Sequence, residues 1–196
     1  MTPKHDLTRD DIVPMDVYVQ ERKERRRAIS EFKRQRRLSC GPDATFYFEN
    51  YATMWHQVHE MLYIERGGEA QIADELRAYN PLIPKGRELV ATVMFEIADQ
   101  DRRHQVLSRL GGVENMMTIS IDGDVVKGVP EADLERTTEA GKASSVQFMH
   151  FPFADSQVAK FRVSGTRVIV GIEHPHYSHL AVMPEAMRQV LAADFD

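Results

Sequence analysis

The hydrophobic period of this chain changes partway along it, and that change constrains the fold more than any other feature. Between Tyr51 and Arg66, the residues Tyr51, Met54, Trp55, Val58, Met61 and Leu62 recur at three- and four-residue steps, which predicts one amphipathic helix. Asn50 stands where an N-cap belongs, and Gly67-Gly68 where such a helix must stop. From Met116 the period is two. Met117, Ile119 and Ile121 alternate with Thr118 and Ser120, and Asp122-Gly123 turns the chain back through Val125 and Val126. Thr45 to Glu49 and Leu89 to Ile97 read as earlier strands, Ser144 to Phe153 as a later one. Gln157 to Val163 and Thr166 to His174 read as a hairpin around Ser164-Gly165, with Leu180 to Met183 as a last short strand. Helices first and antiparallel strands later make an α+β fold: an antiparallel sheet or partly open barrel packed with helices, not a βαβ alternation.

Met15 to Leu38 lacks Gly and Pro and is rich in helix formers, so it reads as a long N-terminal helix behind a polar lead-in at 1–14. Gln71 to Tyr79 reads as a short helix stopped by Asn80-Pro81. Asp99 or Asp101 caps a helix through Leu110, and Pro184 opens a final one. Pro130 to Ala143 reads as a polar connection with room for one helical turn. The expected organisation is an N-terminal extension with a basic helix at 1–40 and a single α+β domain at 41–196.

Composition narrows the function classes. With 196 residues, 42% hydrophobic and 28% charged content and a net charge of −5, the chain suits a soluble protein with one proper core. No apolar run approaches the roughly 18 residues that span a bilayer. The polar N-terminus is unlike a signal peptide, so a cytoplasmic protein without membrane contact is expected. The lone cysteine, Cys40, excludes an internal disulfide and a Cys-rich zinc knuckle. Charge is uneven: Arg22 to Arg37 holds nine Lys/Arg against Glu24 and Glu31. Such a face can contact phosphates, but it lacks the run of interleaved aromatics that a single-strand platform requires. A solvated face, or one laid on an acidic body of its own or a partner subunit, is the better reading.

Chemistry concentrates in histidines. His174, His176 and His179 fall within six residues at the end of an apolar run, beside Glu173. Imidazoles from such a segment plus a carboxylate suit non-haem iron, zinc or manganese. On the helix from Tyr51, His56, His59, Glu60 and Tyr63 share one flank, while Glu65 falls within the apolar stripe and must be paired, protonated or at an opening. The expected metal ligands are therefore His174, His176 and His179, with His56, His59 or Glu60 approaching from the helix, and Tyr177 and Glu65 orienting imidazoles. This requires rings near positions 56 and 174 to converge. The blander reading makes the cluster a polar surface turn and the helix flank a solvated face. His150, alone among apolar neighbours, reads as a hydrogen-bonded core histidine. Gly141-Lys142 fails the phosphate-loop pattern because Arg136 and Ala143 occupy its outer positions, and there is no GxSxG or HExxH, so no nucleotide site is expected.

The ordered strings FEN (Phe48 to Asn50), QVHEMLYIE (Gln57 to Glu65), AYNPLIPKGRELVATVMFEI (Ala78 to Ile97), GKASSVQF (Gly141 to Phe148) and EHPHYSH (Glu173 to His179) resemble the bacterial DUF3501 family, a domain of unknown function. The resemblance covers nearly the whole chain. It places Glu60, Glu65, Asn80, His174 and Tyr177 at the family's shared polar positions. It also implies a redox or oxidative-stress setting, since members tend to be encoded near rubrerythrin-like and iron–sulfur oxidoreductase genes. Two functions are expected. One is a metal-binding accessory carrying iron or zinc, with a homodimeric state and a redox protein partner. The other is a non-enzymatic interaction module, a dimer whose basic helix holds an acidic protein or RNA. An enzyme using His174 as a general base without metal ranks third, because no nucleophile stands beside it.

Overall fold

A computed structural model describes residues 4–131 and 141–196. Among them are six α-helices and nine strands in two antiparallel sheets that do not close into a barrel. The first sheet takes β1 (Arg37–Cys40), β2 (Ala44–Glu49), β3 (Glu88–Phe95), β7 (Val146–Pro152) and β6 (Val129–Pro130), in that spatial order. The second takes β5 (Asp124–Lys127), β4 (Met117–Ile121), β8 (Val168–His174) and β9 (Tyr177–Val182). Strand alternation decides what each face does. Phe46, Phe48, Ala91, Val93, Met149 and Phe151 turn from the first sheet toward Ile119, Ile121, Val170 and Ile172 of the second, and these form the main core. The opposite face of the first sheet, with Val90 and Phe148, receives α2 (Tyr51–Glu65) and α3 (Glu69–Tyr79) through Met54, Val58, Leu62 and Ile72. Helices, first sheet and second sheet thus stack as three layers.

Local chemistry explains the boundaries. Asn50 caps α2 as its type predicts, accepting from the Thr53 amide at 3.2 Å. The left-handed stop falls on Arg66 (φ 57°), one residue before the glycines. Asp122 and Gly123, with φ of 48° and 85°, make the two-residue β4–β5 turn. Asp99 caps α4 (Gln100–Leu107).

Three expectations are corrected. The first arm of the hairpin read at 157–174 is α5 (Asp155–Arg162), whose Val158 and Phe161 are buried three apart on one helical face. Over eight residues a two-residue alternation and a three-residue step are hard to separate. The polar lead-in buries Leu7 and Ile12 in the helical core, and Asn80 holds it there, accepting from the Leu7 amide at 2.7 Å and donating to its carbonyl at 2.9 Å. The N-terminal helix, α1 (Met15–Arg34), ends before Leu38 because Arg37 to Cys40 pair with β2. The remaining helix, α6 (Glu185–Leu191), begins after Pro184 as read. Of the connection at 130–143, residues 132–140 lie outside the described residues.

Candidate functional site

The histidine cluster folds as a β-hairpin. His174 pairs with Tyr177, and Ile172 with His179, so the turn is Pro175-His176, earlier than the Tyr177-Ser178 bend expected. The buried His174 ring is held at both nitrogens: Nε2 donates to the Gly111 carbonyl (3.3 Å) and Nδ1 accepts from the His176 amide (3.2 Å). His176 is exposed beside Arg102 and Arg109. His179 packs its ring on Tyr177, with centroids 4.6 Å apart, and against Gly41. Tyr177 orients no imidazole by hydrogen bonding. Its hydroxyl donates to the Cys40 carbonyl (2.8 Å) and accepts from the Asp43 and Ala44 amides (2.9 and 2.8 Å). Cys40 itself is buried, and that burial pushes its thiol up to about 11, so it carries no reactive thiolate.

The second group sits in the helical layer. His59 is buried, with Nδ1 donating to the Trp55 carbonyl (2.7 Å) and Nε2 accepting from the Val13 amide (3.2 Å). It is a satisfied core residue, and burial lowers its affinity for a proton. His56 meets the other side of the contact on Tyr18: its Nδ1 lies 3.4 Å from the Tyr18 hydroxyl, while the His59 ring lies 5.0 Å from the Tyr18 ring centre. Glu60 accepts from that hydroxyl (2.8 Å) and takes a bidentate grip from Arg22 (2.8 Å twice). Burial pushes the Glu60 carboxyl up, but Arg22 and Tyr18 outweigh it and the net shift is down. Glu65 is exposed at the end of α2, accepting from Gln71 at 2.8 Å.

The two groups therefore belong to different layers. Among the described residues no three His, Cys, Asp or Glu side chains come together in a way that could hold a metal ion. His59 and His174 have spent both ring nitrogens on the protein, so the residues present do not fit a shared metal centre.

One constellation the sequence reading missed surrounds His150. Its Nδ1 meets Glu88 (3.0 Å) and its Nε2 meets Glu131 (2.7 Å), so the histidine bridges two carboxylates from different strand ends. Burial pulls its proton affinity down, yet Glu88 and Glu131 more than compensate and the net shift is upward from 6.5. The sign follows from linkage. A raised folded value means the stabilisation is complete below the unfolded pKa and disappears as pH rises through the folded value. His56 and His59, shifted down by burial first, act oppositely and lose stability on acidification. The expected result is that His150→Gln costs about 1–2 kcal/mol at pH 6 and progressively less toward pH 9. Urea midpoints of both proteins across that range check it, and a difference independent of pH would show that the bridge is not ionised.

No curated protein matches the chain. A crystal structure of a novel protein of unknown function from Burkholderia pseudomallei K96243, at 1.90 Å resolution, is similar over 97% of this chain and 99% of its own, with 34% identity and a TM-score of 0.89. No helix among the described residues is long and apolar enough to cross a membrane. The model of the family described as protein of unknown function (DUF3501) matches residues 6–195, and the chain belongs to that family.

Proposed function

We propose that this protein is a non-enzymatic docking module whose α1 helix holds an acidic protein partner; a redox protein is the partner class that the family resemblance implies. One observation carries the reading. Arg22, Lys23, Arg26 and Arg27, with Val19, Ser30 and Tyr63, line a hollow of about 540 Å³ that contains no carboxylate. Arg22 is fixed there twice, by Glu60 behind it and by the Tyr63 ring 4.1 Å away. Ordering Arg22 beforehand reduces what association must spend on side-chain entropy. The helix supports this use of its surface. It runs 20 residues, about 30 Å at helical rise, yet only Tyr18 is buried along it. A protein suits the hollow better than RNA does. Asp16, Glu21, Glu24 and Glu31 also lie on α1, and a phosphate backbone tracking the helix would meet them.

Polyglutamate and oligouridylate serve as stand-ins for the two partner classes. Polyglutamate binding is expected to weaken by about tenfold or more between roughly 50 and 200 mM salt. It is expected to vanish in the double variant Lys23→Glu/Arg27→Glu and to survive His176→Ala. Retained binding in the double variant, or a clear preference for oligouridylate, overturns the reading.

A further inference from the structure

We infer that the groove between the C-terminal half of α1 and the first turns of α2 binds an amphipathic carboxylate, a small molecule with an apolar body and one anionic head. This groove lies along a different part of α1 from the basic hollow and goes beyond the docking function. Its walls are Ala28, Ile29 and Phe32 of α1 and Tyr51, Ala52 and Trp55 of α2, enclosing about 470 Å³. That size falls within the roughly 300–1,000 Å³ common for small-molecule sites, which are apolar with a few placed polar groups. Two polar groups line it here, Arg25 and His56. The Arg25 guanidinium lies 4.7 Å from the Trp55 ring centre and, among the described residues, pairs only with Glu21 one helical turn away (2.6 Å). An exposed pair of that kind is worth a few tenths of a kcal/mol, so Arg25 exchanges partners readily. The His56 ring donates Nδ1–H to the Tyr18 hydroxyl, whose own proton goes to Glu60, so its Nε2 is an acceptor and Arg25 is the group that meets the anionic head. Past Phe32, Tyr51 and Ala52 the groove continues into a second hollow of about 550 Å³, which Lys4 and the Arg36–Asp194 pair line. Lys4 sits 5.1 Å from the Tyr51 ring centre and is paired with Asp11 at 2.7 Å. The amino end of α2 adds its partial positive charge. The one acid in the lining, Asp194, is already paired with Arg36. The exchangeable Arg25 and the amino end of α2 therefore favour an anionic head, and the aromatic walls favour an apolar body.

Trp55 is the only tryptophan of the chain, so its emission reads the groove directly. Decanoate, decanol and decyltrimethylammonium are titrated into the full chain below their micellar concentrations. Decanoate is expected to change the emission saturably, with the neutral and cationic analogues at least about tenfold weaker. Arg25→Gln is expected to weaken decanoate by about tenfold and leave decanol unchanged. Ala28→Phe, which fills the groove from an exposed position, is expected to block decanoate, whereas Lys23→Glu/Arg27→Glu leaves it intact. Urea midpoints confirm that each variant is folded. The inference is overturned if no saturable change occurs, if the three probes bind alike, or if folded Arg25→Gln binds as the parent does. It is equally overturned if the chain sediments as a dimer that Ala28→Phe separates, since a second copy would then be the occupant.

Discussion

Asp194→Ala is expected to cost about 3–5 kcal/mol of stability. Its partner, Arg36, is only 2% exposed, and Asp194 is 7% exposed. Arg36 donates Nε to the Phe48 carbonyl (3.0 Å) and Nη2 to the Glu49 carbonyl (3.4 Å) as well as to Asp194, which Asn50 also reaches at 3.4 Å. Removing the carboxylate leaves an almost wholly buried guanidinium without its counter-charge. Burial raises the Asp194 carboxyl's hold on its proton despite Arg36 beside it, and buried ion pairs in general add little over an apolar pair of the same size. The double variant Arg36→Met/Asp194→Leu is accordingly expected to recover most of the loss. Urea midpoints at unchanged slope make the comparison. A single variant as stable as the parent would mean that Arg36 is hydrated in solution. The geometry gives the pair a purpose other than stability: it ties the C-terminal turn after α6 to β2 and to the residue that caps α2.

Arg36 also shows where the sequence stops being legible. In the string from Arg22 to Arg37 it is one cation among nine. Its partner lies 158 positions away, and no local period announces a buried pair. The same holds for His150, whose apolar alternation in β7 was readable while its carboxylates, Glu88 and Glu131, come from β3 and the end of β6. What was legible is local. The α2 stripe and its Asn50 cap, the Asp122-Gly123 turn and the alternation of β3 and β4 are all fixed by residues within a few positions of each other. The α5 misreading marks the resolution of that signal, because an eight-residue amphipathic helix offers barely two turns of period. Closeness in the sequence is what marks His174, His176 and His179 as candidate ligands. His174 and His176 do stay together in space, but their proximity is that of a tight turn, and the buried ring serves Gly111.

The second large effect concerns Tyr177, which joins the layers. Tyr177→Phe is expected to cost about 3 kcal/mol, because one buried hydroxyl serves three main-chain groups. The Cys40 carbonyl and the Asp43 and Ala44 amides all belong to the β1–β2 turn of the first sheet, whereas Tyr177 begins β9 of the second. Phenylalanine keeps the edge-on contact with Phe95, whose ring centre is 5.5 Å away, so the loss isolates the hydrogen bonds from the packing. The turn cannot relax inward to find other partners. Gly41 has φ 74°, and a Cβ there would lie 2.5 Å from the His179 ring and 2.8 Å from the Tyr177 oxygen. Its glycine is therefore needed both for the left-handed backbone and for the space. Hydrogen exchange provides the check. The Asp43 and Ala44 amides should lose protection in Tyr177→Phe by more than global destabilisation explains, while the amides of the β4–β8 ladder follow the global change. If those two amides stay protected to the same degree as the ladder, the hydroxyl is not what holds the turn, and the two sheets must be coupled through the apolar core alone.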